Sequence, residues 1–236
     1  MNEKRIACLL GPGFEDSEFK KPYDALKAAG FQVDVIGAKK GEKLEGDKGR
    51  ETAKVDLAID DAKPDDYVAL LVPGGHSPDK LRADDRFVKF VREFEATRRP
   101  LAMVCHGPQL LLTAGLAKGR TLTAWKTVQG DLRYAGANVV DREVVVDDNL
   151  ITSRKPDDLD AFTAKILEEI REYHQRGGRA QSQIGREQRA TFRSMHPNEA
   201  DIEREQEGEN LPTGEGPLGA GERRPPENEP PVKGLH

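Results

Sequence analysis

The sequence predicts an α/β fold in which helices cover both faces of a mostly parallel sheet. Short apolar runs alternate with segments whose apolar residues recur at helical spacing, a pattern typical of βαβ units. Three apolar runs end in unusually polar loops, GPGFEDSE, PGGHSPD and CHGP. Sites in parallel sheets form where strand ends meet helix starts, so we expect these loops to form one.

The first elements follow from apolar runs and their stops. Residues 5–10 are a short apolar run closed by GPG, which predicts a buried strand. Residues 16–29 carry a helical apolar stripe and end at a glycine, and residues 31–37 predict the second strand. Residues 38–50 are rich in Lys, Glu and Gly, so we interpret them as an exposed excursion.

The middle of the chain repeats this alternation. A short strand is expected within residues 55–62, and residues 67–72 are the third strong apolar run. Residues 82–97 predict an amphipathic helix built on phenylalanine and valine. Residues 101–104 predict a strand, and residues 107–114 begin the next helix.

The last third contains weaker strands and one strong helix. Short strands are expected at residues 122–124, 138–140, 144–147 and 150–153. Residues 159–173 predict the closing helix, because an apolar stripe follows the start signal Pro-Asp-Asp.

The chain changes character near residue 176. Gly, Pro, Glu, Arg and Gln dominate residues 176–236, which cannot bury enough apolar surface to offset the entropy of ordering. We therefore expect a folded domain at residues 1–175 and a disordered tail at residues 176–236, which either solvates the protein or binds a partner.

Composition excludes several classes of function. A net charge of -5 does not indicate a nucleic-acid-binding surface, and no run approaches the roughly 18 apolar residues of a membrane span. The first apolar run is too short for a signal peptide, which favours a cytoplasmic protein with two reduced cysteines. The sequence has no CxxC, HExxH or phosphate-loop motif, so we predict neither a metal nor a cofactor.

The segment MVCHGPQLLLTAG places a thiol between a strand and a helix. This arrangement predicts a nucleophile elbow at Cys105, with Gly107 leaving room for the crowded turn. The start of the helix is expected to lower the pKa of the Cys105 thiol and to offer N–H groups to a substrate oxyanion. Gly74 and Gly75, after another strand, are candidates for a second amide donor.

Each of these assignments has a structural alternative. Cys105 could be a buried core residue, as we expect for Cys8 inside the first strand. His106 is the obvious base, but neighbouring side chains at a helix start point about 100° apart, so capping or orientation is its alternative role. His76 is expected to have an ordinary loop role.

The acidic cluster Glu15-Asp16-Ser17-Glu18 follows the first strand. Favourable placement of charge at a helix N-terminus explains part of it. Glu15 and Glu18 are one helical turn apart and share a face. A carboxylate beside a thiolate would repel it, whereas a protonated carboxyl would donate a hydrogen bond to it.

Four segments together carry a family resemblance. FEDSE, LLVPGGHSPDKLR, VCHGPQLL and ITSRKPDDL resemble the ThiJ/PfpI superfamily, specifically its PfpI-type intracellular protease branch, over residues 4–173. The resemblance implies a flavodoxin-like three-layer α/β/α sandwich, related to the class I glutamine amidotransferase fold. It also implies a homodimer or a higher homo-oligomer.

The resemblance also implies roles for individual residues. Cys105 is the nucleophile with His106 beside it, Glu18 matches the acid that contacts the thiol, and Glu15 matches a second pocket acid. In the protease branch an acid from the adjacent subunit pairs with the histidine.

That acid comes from the loop after Gly-Gly, where this chain has Asp79 and relatives often have Glu. Trp125 stands where relatives often have Tyr.

The activities reported for the family are peptidase, cofactor-independent glyoxalase and deglycase, and all could begin with thiolate attack on a carbonyl. The resemblance implies a small pocket between subunits, which suits small aldehydes, and so implies a stress-related cysteine hydrolase of small carbonyls or of glycated proteins and peptides.

A PfpI-type peptidase is the first alternative, and a non-enzymatic redox sensor or holdase chaperone is the second. A glutamine amidotransferase is disfavoured, because Arg154-Lys155-Pro156-Asp157 lacks the histidine that this chemistry needs.

Overall fold

A seven-stranded sheet forms the middle layer of the protein, for which a computed structural model describes residues 4–177. The strands are β1 (Arg5–Leu9), β2 (Gln32–Gly37), β3 (Lys43–Glu45), β4 (Thr52–Lys54), β5 (Leu57–Ala58), β6 (Ala69–Val72), β7 (Leu101–Val104), β8 (Thr121–Leu122), β9 (Asn138–Val139), β10 (Val144–Asp147) and β11 (Leu150–Ser153). The α-helices are α1 (Asp16–Ala28), α2 (Ser77–Leu81), α3 (Asp85–Glu95), α4 (Gln109–Ala114), α5 (Lys126–Tyr134) and α6 (Leu159–Gln175).

The order of the strands locates the crevice of the sheet. The order is β10-β11-β7-β6-β1-β2-β5, and every pair is parallel except β10 with β11. The chain steps outward from β1 through β2 to β5, and then continues on the other side from β6 through β7 to β11. This reversal opens a crevice at the carboxyl ends of β1 and β6, where a ligand site is expected in such sheets.

Two apolar cores lie on opposite faces of the sheet. One contains the phenylalanines of α3 and the leucines of α4 and α5, and the other contains the apolar stripes of α1 and α6. Alternate residues of β1 enter different cores, so that Cys8 packs on the α1 side and Leu9 on the α3 side. The predicted three-layer sandwich is therefore confirmed, and Cys8 is fully buried as expected.

The segment predicted as an exposed excursion is partly ordered against the domain. β3 and β4 form an antiparallel hairpin, and Leu44 on β3 is buried in the α1-side core. The hairpin tip, residues 46–51, returns to the start of α1. A single apolar residue among charged neighbours gives no periodic signal, so composition alone suggested an exposed segment.

Two helices differ from the sequence prediction. The loop predicted after β6 contains the short helix α2, and α5 was not predicted. The buried positions of α5 are Val128 and Leu132 alone, which is too narrow a stripe to recognise without its neighbours. The predicted disordered tail and the predicted boundary at residue 176 concern a region that lies, apart from its first two residues, outside the described part of the chain. Within residues 4–177, no helix has the length and apolar character needed to span a bilayer.

Candidate active site

Cys105 occupies a tight turn between β7 and α4. Its φ is 60°, in the left-handed region that side chains other than Asn and Asp rarely adopt. The turn is fixed on both sides, since Cys105 N–H donates to Ser153 O (3.0 Å) and the Trp125 N–H donates to Cys105 O (2.9 Å). A Cβ at Gly107 would lie 2.8 Å from Val72 O, so this turn requires glycine there. The geometry is the elbow that the sequence predicted.

The sulfur of Cys105 faces a buried carboxyl group. Glu18, in the first turn of α1, is 0% exposed, and its carboxyl lies close enough to the Cys105 thiol for each to shift the pKa of the other. Its Oε2 accepts the Gly74 N–H at 2.9 Å. A Cβ at Gly74 would overlap Glu18 and lie 2.7 Å from Cys105 Cβ. Only a glycine here allows the end of β6 to pack against both the thiol and the acid.

Burial changes the proton affinity of both members of this pair. Burial raises the pKa of Glu18 to about 7, with the Cys105 hydrogen bond opposing the rise and the charge of Glu15 adding to it. Burial and the Glu18 carboxylate raise the pKa of the Cys105 thiol well above its ordinary value, against the Gly75 and His106 amides. The prediction that the helix start lowers the pKa of Cys105 is therefore wrong, because Cys105 is only 6% exposed and its thiol faces an acid.

Of the two glycines predicted to offer an amide, Gly75 faces the sulfur and Gly74 does not. Gly74 does not offer its N–H to the pocket, because it donates that group to Glu18. The amides that face the sulfur belong to Gly75 and His106. These two groups lie where they would stabilise either a thiolate or the oxyanion of a bound carbonyl.

His106 reaches the thiol despite the angular argument against it. Its Nδ1 lies 3.3 Å from Cys105 Sγ, because the left-handed turn at Cys105 changes the direction of the two side chains. Burial lowers the pKa of His106, and the neighbouring His76 lowers it further while Asp79 opposes. His106 is therefore neutral near pH 7 and can exchange a proton with the thiol.

Glu15 caps α1 beside this pair. Its Oε2 accepts from the Glu18 N–H at 2.8 Å and from the Ser17 hydroxyl at 2.6 Å, and Lys48 from the hairpin tip reaches Oε1 at 2.7 Å. Burial alone would raise the pKa of Glu15, but these three donors hold it below its ordinary value. Sequence reasoning missed Lys48, because nothing in its local pattern indicates that the hairpin returns to α1.

The remaining predicted residues lie around the crevice. Trp125, 36% exposed, precedes α5 with its ring centroid 6.5 Å from that of His106. Asp79 is exposed and binds Arg82 of its own chain at 2.8 Å, so its role toward a histidine of another subunit stays a prediction. His76 contacts Asp47 of the hairpin tip at 2.9 Å.

Both cysteines are free thiols. The described region, residues 4–177, holds no cluster of three or more His, Cys, Asp or Glu residues arranged to bind a metal ion.

Fold and site together define a class of α/β proteins with a buried cysteine at a strand–helix elbow and an acid against its sulfur. The chain belongs to the DJ-1/PfpI family, whose model matches residues 4–169. This confirms the resemblance inferred from the four sequence segments.

Curated relatives match almost their whole length. "Protein/nucleic acid deglycase 2" of Escherichia coli (strain K12) is 48% identical over 165 residues, which cover 70% of this chain and 96% of that protein. "General stress protein 18" of Bacillus subtilis (strain 168) gives the same identity and the same shares.

Solved structures agree on the fold. A two-domain protein of Anabaena variabilis, with dj-1/thij/pfpi-like and ferritin-like domains, superposes with a TM-score of 0.69 at 41% identity, covering 70% of this chain and 47% of that one. The chain thus spans about half of that protein. Drosophila melanogaster DJ-1beta superposes with a TM-score of 0.66 at 28% identity, covering 77% of this chain and 95% of the other.

Proposed function

We propose that this protein is a stress-related cysteine hydrolase that acts on reactive carbonyls, of the protein deglycase or cofactor-independent glyoxalase type. The observation that carries the proposal is the Cys105 sulfur at a left-handed elbow, facing a carboxyl whose pKa is about 7 and the two amides of Gly75 and His106. The names of the Escherichia coli and Bacillus subtilis relatives, a deglycase and a stress protein, support the same function.

The first step of the proposed reaction is attack by sulfur on an aldehyde carbon. The Glu18 carboxylate takes the thiol proton as the C–S bond forms, and the carbonyl electron pair moves onto oxygen beside the two amides. An acid with a pKa near the working pH serves well here, since it accepts the proton now and returns it later. The oxyanion then takes the proton from Glu18, which gives a hemithioacetal. With a glycated amine, sulfur displaces the amine from the carbinolamine carbon: the C–S bond forms, the C–N bond breaks, and the amine leaves with the proton that Glu18 took from the thiol.

The second step redistributes electrons within the substrate. The hydrogen on the former aldehyde carbon leaves as a proton and is delivered to the adjacent carbonyl carbon, which gives a thioester of a 2-hydroxy acid. Water then cleaves the C–S bond, releases the acid and restores the thiol. One carbon is oxidised and its neighbour reduced, so the reaction needs water but no cofactor.

The surrounding residues are assigned supporting roles. Neutral His106, 3.3 Å from the sulfur, is the second group able to carry a proton. Glu15 keeps a negative charge at the pocket, and Trp125 forms an apolar wall beside His106. Asp79 is proposed to approach His106 of a neighbouring subunit in a homodimer or a higher homo-oligomer.

Substrates and location follow from this chemistry. Small dicarbonyls and glycated protein or peptide groups are the proposed substrates, and the name of the Escherichia coli relative adds glycated nucleic acid as a class to test. A free thiol at the site works where thiols stay reduced, so we propose a cytoplasmic protein.

The matched pair Cys105→Ala and Cys8→Ala tests the proposal. Methylglyoxal, a glycated amino acid, a glycated nucleotide and a peptide are offered separately, and products are followed by NMR. Cys105→Ala is expected to lose at least about a thousandfold in turnover of the first two, whereas Cys8→Ala keeps it.

Turnover of the peptide alone would favour a peptidase. Rapid oxidation of Cys105 by mild peroxide with no turnover of any substrate would favour a redox sensor or a holdase. Equal turnover by the wild type and Cys105→Ala would exclude a cysteine mechanism.

A further inference from the structure

The hairpin tip is anchored on the first turn of α1. Asp16 is 4% exposed, and its carboxylate accepts the backbone N–H groups of Lys48 (2.9 Å), Arg50 (2.7 Å) and Glu51 (2.7 Å). Burial alone would raise the pKa of Asp16, but these amides hold it below its ordinary value. The tip therefore holds a fixed position against the helix that carries Glu18.

This anchoring places one lysine at the catalytic acids. Lys48 Nζ lies 2.7 Å from Glu15 Oε1, and Glu15 uses its other oxygen to cap α1 through the Glu18 N–H. About half of the Lys48 side chain is exposed, whereas the Glu15 side chain is only 12% exposed. Lys48 thus closes the outer side of a carboxylate that lies one turn from Glu18.

Four groups on the surrounding elements influence the proton affinity of the Glu18 carboxyl. Cys105 and the Gly74 N–H come from the strand ends, Glu15 comes from its own helix, and Lys48 comes from the hairpin tip. Glu15 favours the protonated form of Glu18, whereas Lys48 favours the ionised form. The two charges therefore act on Glu18 in opposite directions, and they are joined by a salt bridge.

We propose that Lys48 is a positioning residue that neutralises and holds Glu15, and so determines at which pH the Glu18–Cys105 pair gives up its first proton. The pair is inert while both groups are protonated. Loss of one proton creates the form in which Glu18 accepts the thiol proton and sulfur attacks. The hairpin tip thereby adjusts the reactivity of a sulfur that it does not touch.

The test measures the alkylation rate of Cys105 by iodoacetamide between pH 5 and 9 in the full-length Cys8→Ala background. Lys48→Met is expected to move the midpoint of the rate profile upward by roughly half a pH unit, and Glu15→Gln is expected to move it downward. Lys48→Arg keeps a cation at this position and should restore the wild-type midpoint. Lys43→Met, which removes an exposed lysine from β3 of the same hairpin, is the matched control.

The proposal deepens the function proposed above, but alkylation needs no turnover, so the two can fail separately. If the midpoint of the alkylation-rate profile is the same in Lys48→Met as in the wild type, the role of Lys48 is overturned, even if the rates themselves differ. Carboxyl NMR of Glu18 in the same variants reports the midpoint directly and distinguishes a shifted proton equilibrium from a site that has merely loosened. A Glu18 resonance that titrates identically in the wild type and Lys48→Met would contradict the proposal.

Discussion

At the scale of single residues, the site depends on a buried acid. Glu18 is fully enclosed, and its direct partners are the Cys105 side chain and the Gly74 amide. Its Oε1 has no hydrogen-bond partner among the described residues. A carboxylate in such surroundings is costly, so the acid keeps its proton to about pH 7.

This acid makes the stability of the protein depend on pH. The pKa of Glu18 is raised from 4.5 in the unfolded chain to about 7 in the folded state. The stabilisation that the protonated carboxyl adds to the folded state is therefore fully present below pH 4.5 and is lost as the pH rises through 7. The shift corresponds to roughly 3 kcal/mol. Glu18→Gln removes this titration. The free energy of unfolding of the variant is therefore expected to fall less between pH 5 and pH 8 than that of the wild type.

Urea unfolding at both pH values measures the difference. The change in unfolding free energy between pH 5 and pH 8 should be smaller in Glu18→Gln than in the wild type by about 2.5 kcal/mol, because pH 5 already lies above the unfolded pKa of 4.5. Equal changes in the two proteins would mean that Glu18 titrates normally.

The identities of the site residues were largely predictable from sequence, but their electrostatics were not. The elbow at Cys105 was predicted from its place between a strand and a helix, and Glu18 was named as its acid from the family resemblance. The raised pKa of Cys105 was not foreseen, because it depends on how deeply the sulfur lies and on which side chain it faces. Neither property is encoded locally.

At the scale of elements, the β3–β4 hairpin is attached to the first turn of α1. The side-chain carboxylate of Asp16 joins them, because it accepts three backbone N–H groups of the hairpin tip. Hydrogen bonds to a charged acceptor are stronger than those to a neutral one, so a single carboxylate holds this largely exposed loop against the helix.

Removing this carboxylate should release the hairpin. Asp16→Ala is expected to raise the hydrogen-exchange rates of the amides of residues 48, 50 and 51 at least about tenfold, because each loses a charged acceptor. Hydrogen exchange followed by NMR measures this, with Asp24→Ala on the exposed side of α1 as the control. If these three amides exchange equally slowly in Asp16→Ala and Asp24→Ala, the anchor lies elsewhere.

The elements with strong periodicity were predicted well, and those defined by their neighbours were not. α3 was recognised from Phe87, Phe90, Val91 and Phe94, all of them buried. α5 has two buried positions, and the hairpin has a buried Leu44 whose partners are distant in sequence. Where burial comes from distant contacts, the chain carries no local pattern to find.

At the scale of the whole molecule, residues 4–177 form a layered domain of their own. The sheet is covered on both faces, and α6 ends the described fold at Gln175. The Escherichia coli relative matches 96% of its own length within 70% of this chain. Nearly the whole length of that relative therefore corresponds to a part of this chain.

A chain that ends at Gly177 is expected to keep the fold and the site. Its thermal midpoint should lie within about 3 °C of the full-length value, since about 1 kcal/mol shifts the midpoint of a domain of this size by that amount. Calorimetry and the Cys105 alkylation rate check this expectation. A much lower midpoint would show that residues 178–236 contribute to the core.

The backbone at Cys105 also restricts how the elbow can vary. A side chain branched at Cβ crowds a residue whose φ is 60°, whereas Asn, Asp and Gly accept that angle. Threonine or valine at this position would have to unwind the turn, and so release the Trp125 amide that it holds. A variant that replaces the thiol and keeps the turn therefore needs a residue at position 105 that is not branched at Cβ.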